Sequence, residues 1–213
     1  MDRPSQQEKT AMRGAVAARL AAMSSAQKRA ASGAVCAKLE ELAEWRAMRE
    51  RGISGRSVPG AMMYVAGEDE VDVGPVAARM ARLALPRVTD WAKGEMDAAW
   101  VQRLDLAPAG DLGVSRHGVR QPVAACPAAD LAQIDVCVVP GRAFDKLCNR
   151  LGRGGGFYDV LLRRAVFAGR GAGRRPVLVG VCFDEQVVER VPVDALDEPL
   201  DIVVTPTAVY KRM

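Results

Sequence analysis

Residues 140–159 read PGRAFDKLCNRLGRGGGFYD, between an apolar run, IDVCVVP, that ends at Pro140 and a second, VLLRRAVF, that begins at Val160. Residues 134–139, apolar at every position but Asp135 and closed by a proline, have the pattern of a buried strand, and residues 160–167 can form a helix whose start lies beside the glycines. A Gly-rich loop thus joins strand to helix. Gly152, Gly154, Gly155 and Gly156 lack a Cβ, so their N–H groups can turn toward a bound anion, and the helix start adds roughly half a positive charge. Arg150 and Arg153 add full charges. Asp159 closes the loop, and a carboxylate beside a phosphate cradle makes sense when a divalent cation lies between them. Neither G-x-x-x-x-G-K-[ST] nor G-x-G-x-x-G is present. A surface loop with solvated arginines is the alternative that the spacing leaves open.

Downstream, VLVGVC at 177–182 predicts another buried strand, EQVVERVP at 185–192 a short helix stopped by Pro192, and DIVVTP at 201–206 a further strand. Upstream, AMMYVAG at 61–67 and ARLALPRV at 81–88 read as strands joined by a short amphipathic helix ending near Met80, which makes a βαβ unit. Between 89 and 130 the apolar bursts around Trp91, Met96, Trp100 and Leu104 have no sustained period, and a loop-rich region with one hairpin is expected. Two helices begin the chain. Met12, Val16, Leu20 and Met23 recur at helical spacing; Ser24 with Gln27 forms a capping box for a second helix carrying Val35, Leu39, Leu42 and Trp45, with Gly52 and Gly55 as terminators. Alternating strands and helices predict an α/β three-layer αβα domain with a mostly parallel sheet, spanning 1–213 as a single domain. Ligands in such sheets bind beyond the carboxyl ends of the strands, where Gly152–Gly156 fall.

With 213 residues, 49% of them hydrophobic and 26% charged, the chain suits one core that buries roughly 70% of the unfolded surface. The net charge of +4 is spread along the sequence without a basic block, which suits small anionic ligands and no nucleic acid. No stretch approaches the ~20 apolar residues that span a bilayer, and the amino-terminal residues have no apolar signal core. A cytoplasmic location without membrane association is expected. The five cysteines lack C-x-x-C spacing and mostly sit in apolar runs, as buried reduced thiols do. A single histidine, His117, excludes a zinc site built on histidines.

The string PG-x-AFD followed by NRLGRGGG-F-YD resembles the signature of the 5-formyltetrahydrofolate cyclo-ligase (methenyltetrahydrofolate synthetase) family, and VGVCFDEQVVERVPVDALDEPLD at 179–201 is similar to its C-terminal motif. The resemblance implies the fold shared with sugar-phosphate isomerases and CoA transferases. It also implies an ATP- and Mg²⁺-dependent conversion of 5-formyltetrahydrofolate to 5,10-methenyltetrahydrofolate by a monomer. Arg150 and Arg153 would be catalytic. Lys9 and Arg13, in KTAMR, would contact ATP together with Arg150, Leu151, Gly152, Arg153, Gly154, Gly155, Gly156, Phe157 and Tyr158. Glu70, His117, Arg153, Gly154, Gly155, Gly156, Phe157 and Tyr158 would form the folate side, and Asp159 with Asp197 would hold Mg²⁺. Read without the resemblance, Lys9 and Arg13 form a solvated basic face, Glu70 a carboxylate at a helix start, and His117 an exposed loop residue. Cys148 replaces a customary glycine, where a left-handed backbone would cost a side chain about 1 kcal/mol or more, and it is expected on the outer part of the loop. A non-catalytic folate- or nucleotide-binding relative and a sugar-phosphate isomerase on the same fold are the rival readings.

Overall fold

A computed structural model of the protein describes residues 6–53, 58–106, 108, 110–171 and 173–213. Three helices come first, α1 (Gln6–Ala21), α2 (Ser25–Glu41) and α3 (Ala43–Ile53). The capping box is formed: Ser24 Oγ accepts from the Gln27 N–H at 3.2 Å, and Gln27 Oε1 accepts from the Ser24 N–H at 2.8 Å. One continuous second helix was expected, but the chain turns extended at Leu42 (ψ 135°) and restarts as α3. The predicted stripe survives the break, since Val35, Leu39, Leu42 and Trp45 are all buried. Gly52 lies inside α3, and Gly55 lies outside the described residues.

Then follow β1 (Gly60–Met62), α4 (Gly74–Ala77), β2 (Leu83–Asp90), β3 (Glu95–Val101), β4 (Leu112–Val114), β5 (Arg120–Pro122), β6 (Ile134–Val139), β7 (Ala143–Phe144), β8 (Arg150–Leu151), α5 (Phe157–Gly171), β9 (Val177–Val181), β10 (Ile202–Val204) and β11 (Val209–Lys211). The main sheet has seven strands in the order β11-β10-β9-β6-β1-β2-β3. Its inner pairs are parallel, including the predicted βαβ unit of β1 and β2, and β3 and β11 close the two edges antiparallel. Successive side chains of a strand point to opposite faces, so a strand with apolar side chains on both faces must be covered twice. In β6, Val136 and Val138 pack with Val16, Leu39 and Trp45 of the amino-terminal helices, whereas Cys137 and Val139 pack with Leu161, Leu162 and Ala165 of α5. That is the three-layer αβα arrangement.

Three further expectations need correction. The region 89–130 is less irregular than expected: β3 pairs with β2 from Leu83↔Val101 to Asp90↔Glu95, and the separate β4–β5 hairpin supplies the pairing Val114↔Arg120. The strand read at 61–67 is only Gly60–Met62, after which the chain leaves the sheet toward the site. The helix expected at 185–192 is a single 3₁₀ turn, Asp184–Gln186. There the Gln186 side chain accepts from the Phe183 N–H at 2.9 Å and donates to the Gly141 carbonyl at 2.8 Å, and the Val188 N–H is taken by the Phe144 carbonyl at 2.8 Å. Bonds to the β6 exit and β7 replace those that would have continued a helix.

Candidate active site at the switch point of the sheet

Chain order reverses between β1 and β6, the place where an α/β sheet opens a crevice beyond its carboxyl ends. A cavity of about 620 Å³ lies there, and the exits of both strands line it, Tyr64–Gly67 from β1 and Pro140–Gly141 from β6.

Between β6 and the glycines the chain makes a small hairpin, β7–β8, built around one buried carboxylate. Asp145, 1% exposed, accepts through Oδ1 from the N–H groups of Leu147 and Asn149 at 3.0 and 2.9 Å, and through Oδ2 from Asn149 Nδ2 and the Val191 N–H at 2.9 and 3.0 Å. Drawing residues 147 and 149 around one side chain leaves Cys148 as the corner, with φ 63°. The expected left-handed backbone is present. The expected outer position is not: Cys148 is fully buried, its carbonyl accepts from the Leu200 N–H at 3.0 Å, and its Sγ lies 3.5 Å from the Tyr210 carbonyl. Burial, reinforced by Asp145, pushes its thiol up to about 11. Each of the five cysteines is free and buried, as expected.

The hairpin delivers Arg150 to the floor of the cavity. Only 4% exposed, it donates from Nη2 to Asp159 Oδ1 at 2.7 Å and from Nη1 to the Pro140 carbonyl at 3.3 Å, and its guanidinium stands 5.6 Å from the Tyr158 ring centre. Burial pushes the Tyr158 phenol well above its usual value. The glycine loop then crosses the cavity mouth to α5, with Gly154 and Gly156 at positive φ of 111° and 67°, conformations that favour glycine. Arg13 of α1 holds this loop from behind, Nε donating to the Gly152 carbonyl at 2.9 Å. Lys9, one turn earlier and 7% exposed, donates to Asp194 Oδ2 at 3.0 Å and to Asp197 Oδ2 at 2.8 Å. Burial works against its charge, but the two carboxylates outweigh burial and raise its pKa above the usual value. The bare solvated basic face is therefore not what α1 presents: both cations point inward.

Arg153, on the loop, pairs with Glu70 Oε1 at 2.9 Å, and Glu70 Oε2 accepts from the Gly67 N–H at 2.9 Å. Glu70 closes this turn and is not at a helix start, since α4 begins at Gly74. Tyr64 fixes the same turn by donating its hydroxyl to the Val71 carbonyl at 2.6 Å. Opposite stands an aromatic wall. The Trp91 ring lies 4.2 Å from His117 and 5.6 Å from Phe157, centre to centre.

Glu70, His117, Arg150, Gly152, Arg153, Gly155, Gly156, Phe157, Tyr158 and Asp159 all line the one cavity. Gly154 faces Arg13 instead, and Leu151 turns into the core beneath the loop. Lys9 and Asp197 sit together apart from the lining, so Asp159 and Asp197 are each held by a different cation, Arg150 and Lys9. Among the described residues no group of three or more His, Cys, Asp or Glu side chains could by itself hold a metal ion. Sequence reasoning passed over Asp145, Trp91 and Arg120. The last lies three residues beyond His117 in HGVRQP, and a cation in the very segment expected to wall the pocket was the available signal.

The sequence matches the model of the 5-formyltetrahydrofolate cyclo-ligase family over residues 5–206. The 5-formyltetrahydrofolate cyclo-ligase of Escherichia coli (strain K12) is 30% identical over 154 residues, 70% of this chain and 79% of that protein. The mitochondrial 5-formyltetrahydrofolate cyclo-ligase of Arabidopsis thaliana is 38% identical over 109 residues, 50% of this chain but only 36% of that longer protein. Among solved structures, the 5,10-methenyltetrahydrofolate synthetase of Aquifex aeolicus superposes with a TM-score of 0.73 at 30% identity, covering 95% of this chain and 92% of that one.

Proposed function

The chain belongs to the 5-formyltetrahydrofolate cyclo-ligase family, and on that premise we propose how its residues divide the work. It is a ligase that closes a carbon–nitrogen bond in 5-formyltetrahydrofolate at the expense of ATP. The family and its named relatives give no support to a sugar-phosphate isomerase or to a non-catalytic binder.

A formyl amide is a poor electrophile. Transfer of the γ-phosphoryl group to the formyl oxygen forms an O–P bond as the bond to ADP breaks, and leaves an iminium phosphate. N10 of the folate attacks its carbon and gives up its proton, the C–O bond breaks, phosphate departs, and the methenyl bridge is closed. No enzyme nucleophile takes part. Catalysis then rests on alignment and on charge placed in advance.

Arg150 suits that task because it is buried, fixed by Asp159 and unable to turn away, and Arg153 brings a second cation from the loop. The amides from Gly152 to Gly156 and the start of α5, continued by Phe157 and Tyr158 and supported by Leu151, cradle the phosphates. Arg13 adds positive charge behind the loop, and Lys9, held by Asp194 and Asp197, would contact ATP from the same helix. Glu70, His117 and Phe157 contact the folate, with Arg153 and Gly154–Tyr158 shared between the two substrates. Mg²⁺ needs only one or two carboxylates besides phosphate oxygens and water, and Asp159, whose Oδ1 alone is engaged among the described residues, fits that role on the cavity wall. Asp197, the second expected carboxylate, is held by Lys9 apart from the lining and would join the ion only if that ion pair opened; the ion would supply charge neutralisation between the phosphates.

The proposal extends to a cytoplasmic monomer, since both substrates are diffusible anions suited to a chain of net charge +4. Among the described residues no helix is long and apolar enough to cross a membrane. The observation that carries the reading is the buried Arg150–Asp159 pair at the head of α5, directly after a glycine loop that faces an aromatic wall. The test is the absorbance of methenyltetrahydrofolate appearing from 5-formyltetrahydrofolate. Product is expected only with ATP and Mg²⁺ together, and product formed without ATP would overturn the assignment of the loop.

A further inference from the structure

Three arginines line the cavity, Arg120, Arg150 and Arg153, and they are not equivalent. Arg150 is paired with Asp159 at 2.7 Å and Arg153 with Glu70 at 2.9 Å. Arg120 is exposed, forms no ion pair among the described residues, and donates only to the Ala66 carbonyl at a long 3.4 Å.

Its backbone, by contrast, is firmly placed. Arg120 opens β5, opposite Val114 in β4, and its neighbour Gln121 ties the hairpin to the sheet, Oε1 accepting from the Val88 N–H at 3.1 Å and Nε2 donating to the Val88 carbonyl at 3.4 Å. Just beyond β5, Arg87 donates to the carbonyls of Val123 and Cys126 at 3.0 and 3.3 Å. At the tip, His117 leans on Trp91. A cation without a carboxylate is thus carried on an anchored strand at the outer end of the aromatic wall.

We propose that Arg120 is the residue that binds the carboxylate tail of the folate and sets the preference for a glutamylated substrate. The proposal rests on the reading that the folate occupies this cavity. 5-Formyltetrahydrofolate is a reduced pterin ring system and an aminobenzoyl group ending in a glutamate. The rings belong against Trp91, His117 and Phe157, so the carboxylates come out at the mouth, where a guanidinium can take one of them bidentately. The other rim charges leave little choice. Glu68 lines the mouth as a carboxylate and repels the tail, Lys93 is paired with Asp90 at 3.3 Å, and Arg116 donates to His117 Nε2 at 3.1 Å without lining the cavity.

The experiment compares 5-formyltetrahydrofolate with 5-formyltetrahydropteroate, which has the same rings and no glutamate. The parent protein is expected to have the lower KM for the glutamylated compound, and Arg120→Gln to lose about tenfold of that preference, as one charge-assisted contact at a wet rim would. Arg120→Lys should retain part of it. Loss of affinity for both compounds in equal measure, or an unchanged ratio of KM values in Arg120→Gln, would overturn the proposal. Calorimetric binding of the two compounds to parent and Arg120→Gln gives the same ratio without turnover. Failure of the parent to bind either compound would defeat the folate reading itself, whereas binding with an unaltered ratio defeats only the role of Arg120.

Discussion

The Arg150–Asp159 pair joins stability to chemistry in a way that single substitutions would confuse. Arg150's side chain is 2% exposed and Asp159's 15%, so removing the carboxylate strands a charge that cannot reach water. Asp159→Asn is therefore expected to lose about 3 kcal/mol of stability as well as turnover, because a buried charge without its partner is among the costliest changes a core can suffer. The double variant Arg150→Met/Asp159→Asn removes both charges and should regain more than half of the loss while staying inactive. Urea unfolding of the three proteins checks this; a double variant no more stable than Asp159→Asn would mean that the pair is not coupled. The pair is also where the sequence was most and least informative. NRLGRGGGFYD placed both residues beside a glycine loop, yet nothing in the string said that Arg150 and Asp159 face each other. Cys148 repeats the lesson: its left-handed backbone was legible, but its burial depended on Asp145 and on Leu200 and Tyr210 arriving from the far end of the chain.

Elements with one strong apolar pattern were legible, and those positioned by tertiary bonds were not. β6, β9 and β10 are apolar runs, interrupted only by Asp135 in β6, and α1 is a regular stripe, whereas β3 reads EMDAAWV, with small Ala98 and Ala99 buried on opposite faces and carrying little signal. The turn at Asp184–Gln186 was misread as an α-helix because Val187 and Val188 look like one apolar face, although side-chain and main-chain bonds to Gly141 and Phe144 claim the segment. α1 shows what a correctly read element adds to the site. Its Arg13 grips the carbonyl of Gly152 and so ties the loop to the first helix. Arg13→Ala should weaken ATP binding about tenfold, the worth of one charge-assisted hydrogen bond, and change folate binding far less. Calorimetry with the two substrates separates these effects. Unchanged nucleotide affinity would reduce Arg13 to a structural tie.

At the scale of the whole molecule, the amino-terminal helix is fastened to the carboxyl-terminal motif through Lys9, which binds residues 185 and 188 positions away, Asp194 and Asp197. The sequence named Lys9 and Asp197 separately, as an ATP contact and a metal ligand, and only the fold makes them partners. Their pairing has a consequence for stability. The folded-state pKa of Lys9 is raised above its ordinary 10.5, so the ammonium is favoured in the folded protein. A raised pKa contributes stability that is fully present below the unfolded value and is lost as pH rises through the folded one. The contribution therefore holds across neutral pH and disappears only in alkali beyond 10.5. Lys9→Met should cost about 2 kcal/mol at pH 7, through two lost charge-assisted hydrogen bonds. Its stability should then change less than the parent's between pH 9 and pH 12, because the group that titrates there is gone. Urea midpoints measured across that range decide the matter. Parallel alkaline losses in parent and Lys9→Met would show that Lys9 is not the fastening, and a variant as stable as the parent at pH 7 would show that Asp194 and Asp197 tolerate each other without it.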